Sequence, residues 1–286
     1  MKTTFLTLLI LFSSYCFSQT KEELINAIVK INSLDGYDGY DDSNDSVKVI
    51  DNNKIESNNY YNFEKLKRLI SYDELFELTK HRNNVLKLYA IQELIERHDK
   101  KLDIFNLFKM AIVNDIKVRT HEGCIVDSEL IYSVLYHAYW NNVRNKSTDS
   151  LMIKIDSYLI GYDRDIYWLI YERIFSNRKY SNEENKNIIK MIYKFNNSYA
   201  FNYLNKCYPK IFDPIAKSYF LDYFPKQNFN SESQVSYLFA FTEYVFENQY
   251  EHLKPIILNK LKETNYWKMR LGWFQAKIFE KYNIKI

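Results

Sequence analysis

The sequence predicts an all-α protein in which paired antiparallel helices stack along one direction. Three observations point to it. Only 5 Gly and 4 Pro occur in 286 residues, too few obligate turns for a fold of many short strands. Apolar residues recur at three- and four-residue intervals over long segments. Short polar breaks separate those segments, and no set of alternating runs is available to pair as a large sheet.

The first eighteen residues stand apart from the fold. Lys2 precedes an apolar run from Phe5 to Phe12, followed by Cys16-Phe17-Ser18 and Gln19. Charge, short apolar core and small residues in that order form a secretory signal peptide, with cleavage expected after Ser18 and a periplasmic or secreted product. The run is too short to span a bilayer, and no later stretch reaches the ~20 apolar residues a span needs, so no transmembrane segment is expected in the mature chain. Lipidation at Cys16 is the competing reading. Tyr15 disfavours it, because the residue before a lipidated Cys is normally small.

The chain carries 39 Lys+Arg against 36 Asp+Glu, a net charge of +3, and loss of Lys2 leaves +2. So weak a charge, with no basic cluster, excludes nucleic acid as the main partner.

Residues 19–60 are read as a short amphipathic helix from Thr20 to Ile31 and an acidic, Asn-rich linker; residues 61–286 are read as the helical domain. The linker begins with Asp35-Gly36-Tyr37-Asp38-Gly39-Tyr40-Asp41-Asp42-Ser43-Asn44-Asp45. A calcium loop starting at Asp41 would need Gly where Ser46 stands and Glu where Asn52 stands, so the pattern reads as a solvated loop continuing to Asn59. No cofactor or metal is expected.

Ser71-Tyr72-Asp73-Glu74 has the form of a capping box and should start a short helix through Leu78. His81-Arg82-Asn83-Asn84 breaks the pattern, and a second helix should begin near Val85. Its apolar surface, Leu86, Leu88, Tyr89, Ala90, Ile91 and Leu94, is too broad for one-sided packing, so it should be sandwiched between neighbours. Asp103 should cap a third helix carrying Ile104, Leu107, Phe108, Ala111 and Ile112.

Leu86-Lys87-x-x-Ala90-x-x-x-Leu94, directly after an Asn-rich turn, resembles the second helix of a HEAT-type repeat, with Lys87 where that pattern carries Arg. The run from Tyr72 through Asp103-Ile104-Phe105 to His121-Glu122-Gly123-Cys124-Ile125 looks like a group of exported bacterial HEAT-like proteins of unassigned function. The resemblance covers a fifth to a quarter of the chain. It implies an α-solenoid that binds a protein or peptide on a curved surface, and it supplies no catalytic residue.

Between Asn114 and Asp127 the helical period is lost. Val118-Arg119-Thr120-His121 and Cys124-Ile125-Val126 favour extended backbone around Glu122-Gly123, so a small hairpin is expected near 116–127. His121, Glu122 and Cys124 cluster here, but no second His follows at zinc-binding spacing, and a nucleophilic Cys would need His137 brought close by the fold. Past Ser18 the thiols are Cys124 and Cys207. They either pair, closing a long loop worth roughly 4 kcal/mol, or sit in separate buried sites.

Later helices are expected over 128–141, 149–160, 164–175, 183–195, 199–207, 214–223, 232–247, 252–262 and 266–282, with Gly161 just past a helix end and Pro214 at a helix start. Trp267, Met269, Trp273 and Phe274 should close the end of the core. Arg164, Asp165, Trp168, Tyr171 and Glu172 share one side of a predicted helix with Phe175. Such a mixture either holds a peptide or sugar, or is a core stripe with a charged margin. Two functions follow. One is a non-catalytic exported scaffold binding a protein or peptide. The other is a hydrolase or lyase on an α/α scaffold, using carboxylates such as Asp163, Asp165 and Glu172.

Overall fold

The computed structural model describes residues 19–37, 40–41, 46–47, 55–122, 125–264 and 275–285, and the fold is all-α with a small sheet. Residues 1–18, read from sequence as a signal peptide, Cys124, Trp267, Met269, Trp273 and Phe274 lie outside the described residues, as does most of the acidic loop. Backbone contacts divide the chain into two compact units, with the boundary between Arg144 and Asn145.

The N-terminal unit begins with helix α1 (Lys21–Ile31), closed at its start by a Thr20 capping box and at its end by Asn32 in the left-handed region. Strand β1 (Leu34–Asp35) follows, and β2 (Tyr40–Asp41) pairs antiparallel with β3 (Ser46–Val47). Helix α2 (Asn59–Leu69) is capped by Asn58. Asn58 and Asn59, read from sequence as the end of a solvated run, are instead buried. The Asn59 side-chain amide donates to the carbonyls of Ile28 and Ser33, which explains how a polar side chain is accommodated there.

Helix α3 (Tyr72–Leu78) starts with the predicted capping box. Ser71 Oγ accepts the Glu74 N–H, and the Glu74 carboxylate accepts the Ser71 N–H at 2.7 Å. A hydrogen bond from Lys21, together with those from Ser71, holds the Glu74 carboxyl down to about 2. Helix α4 (Asn84–Glu96) is sandwiched as predicted, touching α1, α3, β1 and helix α6, described below. Val85, Leu86, Leu88, Ala90, Ile91 and Leu94 are essentially inaccessible. Helix α5 (Ile104–Asn114), capped by Asp103, leads into a hairpin of β4 (Lys117–Glu122) and β5 (Ile125–Leu130). The hairpin is longer than its predicted span. β5 takes Ser128 to Leu130, so helix α6 (Ile131–Asn142) starts three residues later than the sequence suggests. β4 also pairs in parallel with β1, giving the order β1-β4-β5.

In the C-terminal unit, α7 (Ser150–Ile160), α8 (Trp168–Asn177), α9 (Asn182–Phe195), α10 (Ser198–Cys207), α11 (Pro209–Ser218), α12 (Glu232–Glu247) and α13 (Lys254–Glu263) follow one another. Helix α10 contacts α8, α9, α11 and α12. Gly161 does follow α7, but with φ of −82°, so its left-handed freedom is unused. Pro214 sits inside α11, not at its start; Pro209 holds that place. The chain then widens into a π-helical turn (Tyr219–Tyr223) that buries the adjacent rings of Tyr219 and Phe220. These rings join Phe201, Phe212, Phe224, Phe229 and Phe241 in an aromatic core. A π-helical turn (Gln275–Phe279) and a short helix, α14 (Glu280–Tyr282), end the described chain. No described helix is long and apolar enough to cross a membrane.

Candidate functional site

The N-terminal unit contains a cavity of about 490 Å³. Helix α2 supplies Tyr60, Glu64 and Lys67 to its wall, and α4 supplies Tyr89, Glu93 and Glu96. The hairpin supplies His121, Glu122 and Glu129, and α6 supplies His137 and Asn141. Phe63 and Tyr89 stack with ring centroids 5.0 Å apart, and Tyr37 meets Tyr60 at 5.6 Å.

Asp35 is the point at which these elements converge. β1 has two residues and cannot fix its own position, so outside contacts do. The Tyr89 hydroxyl accepts the Asp35 N–H at 2.7 Å and donates to the Asp35 carbonyl at 2.9 Å. The N–H of Asn59, the first residue of α2, donates to Asp35 Oδ2 at 2.7 Å, placing the carboxylate at the positive end of that helix. The Gly36 N–H donates to the His121 carbonyl at 2.8 Å, and strand pairing sets Asp35 Oδ1 4.0 Å from His121 Nδ1. The Asp35 side chain is only 2% exposed, and its Oδ1 has no hydrogen-bond partner among the described residues.

Charge around the cavity is unevenly compensated. Burial works against ionisation of Glu93, but hydrogen bonds from Lys67 at 3.0 Å and Arg97 at 2.7 Å overcome it and keep this carboxyl below its ordinary value. Lys67 also pairs with Glu64 at 2.5 Å. Glu96, Glu122 and Glu129 form no close ion pair with a lysine or arginine among the described residues, and Lys67 acts on Glu96 only at longer range. Burial, then the charge of Glu93, pushes Glu96 up; burial, then the charges of Asp127 and Glu122, pushes Glu129 up. Among the described residues, no group of three or more His, Cys, Asp or Glu side chains is arranged to hold a metal ion.

The five residues singled out from sequence lie in the C-terminal unit, and they do not share one helical face. Helix α8 begins at Trp168, leaving Arg164 and Asp165 in the preceding segment. Arg164 and Glu172 are exposed, Trp168 is half-buried against Tyr199, and Tyr171 is core at 1% exposure. Asp165 Oδ1 accepts from the hydroxyls of Tyr171 at 3.2 Å and Tyr237 at 3.3 Å. Burial pushes its carboxyl up to about 6 despite these donors. Cys207 is half-buried at the end of α10.

Asp165 sets a pH dependence with a definite sign. Its folded value lies above the unfolded value near 3.9, so the folded unit holds the proton more tightly. Stability should be greatest below the unfolded value and fall as pH rises through about 6, by about 3 kcal/mol at most. Asp165→Asn keeps an acceptor for both tyrosines and removes the buried charge. It should raise the urea midpoint at pH 7.5 and flatten the slope between pH 4 and 7. Equal destabilisation at both ends of that range would refute this account.

Of the cavity, the sequence marks the His121-Glu122 pair, and it names His137 only as a base for Cys124, which lies outside the described residues. The structure brings His121 and His137 to one cavity. Glu93 and Glu96 were missed, although two acids three residues apart on an otherwise buried helix were a usable signal. Fold and site together define an all-α protein with an acid-lined cavity in its first unit. No protein-family model, curated protein or solved structure matches the chain.

Proposed function

We propose that this is an exported, non-catalytic binding protein, with helices paired in a HEAT-like array, whose N-terminal unit takes a protein or peptide partner. The observation that carries this reading is the cavity of about 490 Å³ framed by α2, α4, α6 and the hairpin. Its walls stand on secondary structure, and it mixes aromatic faces with fixed polar groups, as recognition sites do. Contacts of α10 with helices before and after it in sequence suit a stacked array. Export rests on the order of Lys2, the apolar run and Ser18. The acidic lining is adverse to a polyanionic partner such as nucleic acid.

A hydrolase or lyase is the second reading. His121, His137 and several carboxylates line one cavity, and two of those carboxyls are pushed up, as acid–base groups often are. One experiment separates the two. The full-length protein is incubated with a peptide library, and bound and unbound fractions are identified by mass spectrometry. The binding reading expects peptides retained intact and released by Tyr60→Ala, a half-buried change at the cavity wall. Retained peptides that emerge cleaved would establish the enzyme, and no retention at all would end the peptide reading.

A further inference from the structure

Lys67 and Arg97 satisfy Glu64 and Glu93, but four acids of the cavity, Asp35, Glu96, Glu122 and Glu129, form no ion pair with a lysine or arginine among the described residues; the imidazole of His121, 4.0 Å from Asp35 Oδ1, is the nearest basic group to that acid. An acidic wall alone is commonplace. Asp35 makes this one different. Its Oδ2 is held by the Asn59 amide, whereas Oδ1, buried on a side chain that lines the same cavity, receives no donor from the described residues. A buried carboxylate oxygen left without a hydrogen bond is unfavourable, and a donor arriving from outside relieves it. Tyr89 and Asn59 hold Asp35 in place, so it cannot turn away to find water or another group.

The donor must also suit its surroundings. Glu96 and Glu129 stand near like charges, so a positive occupant favours their ionised forms. Tyr60 and the Phe63–Tyr89 stack supply aromatic surface of the kind that accepts an organic cation. The described acids and histidines are not arranged for a metal ion. We infer that the cavity takes an organic cation, the ammonium of lysine or guanidinium of arginine presented by a peptide, with Asp35 Oδ1 as its buried acceptor and Glu96 and Glu129 as flanking charges. The peptide part of this rests on the function proposed above; the cation part does not.

The test is isothermal titration of the full-length protein with four probes. These are a capped pentapeptide with central arginine, the same peptide with lysine, the same with neutral citrulline, and agmatine, a small free dication that carries both a guanidinium and an ammonium. A cationic peptide should bind about tenfold or more tightly than the citrulline peptide, and Glu129→Gln should weaken it about tenfold with the far-UV spectrum unchanged. Asp35→Asn, which keeps an oxygen for the Asn59 amide, should act in the same direction. Equal binding of arginine and citrulline peptides would overturn the cation assignment and leave peptide recognition standing. Agmatine binding sensitive to Glu129→Gln, with no peptide bound, would support the cation and remove the peptide. No binding by any probe would overturn both.

Discussion

Phe201→Ala is expected to lower the unfolding free energy of the C-terminal unit by about 3–5 kcal/mol. Phe201 is fully buried on α10, and Phe212, Phe241 and Tyr244 present their rings to it at near-right angles, with centroids 4.6, 5.2 and 4.9 Å away. Truncation removes the transfer free energy of the ring, leaves a void bounded by rigid rings, and breaks several edge-to-face pairs together. These losses are not additive, so the range is that of a single large-to-small change. Phe201→Leu should recover part of the loss. Urea denaturation followed by far-UV circular dichroism measures both variants. A loss below about 1 kcal/mol for the alanine variant would mean that the aromatic cluster collapses into the space.

Asp156→Ala should cost a similar amount for an electrostatic reason. Asp156 on α7 is fully buried, and Arg178, only 11% exposed, donates to its carboxylate and also to the Met152 carbonyl at 3.3 Å. Removing the acid leaves the guanidinium buried without its counter-charge, a change that typically costs about 3–5 kcal/mol. The double variant Asp156→Leu, Arg178→Met takes out both charges and should be far less harmful, often near neutral for pairs of this kind. If the double variant were as unstable as the single one, the damage would lie in packing, not in the orphaned charge.

What the sequence disclosed was what depends on neighbours along the chain. Ser71 and Glu74 form their box because both partners lie within one turn, and the broad apolar surface around Ala90 announced a helix covered on several sides. The hairpin was visible from extended-favouring residues around Glu122. Its reach to Leu130 was not, because Ser128 and Glu129 are equally compatible with a helix start and their fate is decided by pairing with Arg119 and Val118. Pro214 was misplaced for a related reason. Pro209 already satisfies the first-turn preference, and the π turn after Ser218 follows from packing Tyr219 and Phe220 into a core no local rule describes.

The cavity was the least legible part. Asp35 looked like one acid among many in a loop, since nothing near it in sequence reveals its surroundings. Its fixed position comes from Asn59, Tyr89 and His121, on a helix, another helix and a strand remote from it in the chain. The predicted site residues show the converse. Trp168, Tyr171 and Glu172 do lie on α8, but burial of Tyr171 ties that helix to Asp165 as part of the core.

The Tyr89 hydroxyl has one proton to give and uses it on the Asp35 carbonyl, while its oxygen takes the Asp35 amide. The residue that does most to immobilise Asp35 is thus occupied by that role. On the inferred binding of a cation, the ligand meets a carboxylate whose rotation the Asn59 amide already restricts, so association loses little further entropy at that point. In the inferred receptor the acid is positioned in advance by a helix tyrosine whose polar atom is committed to β1.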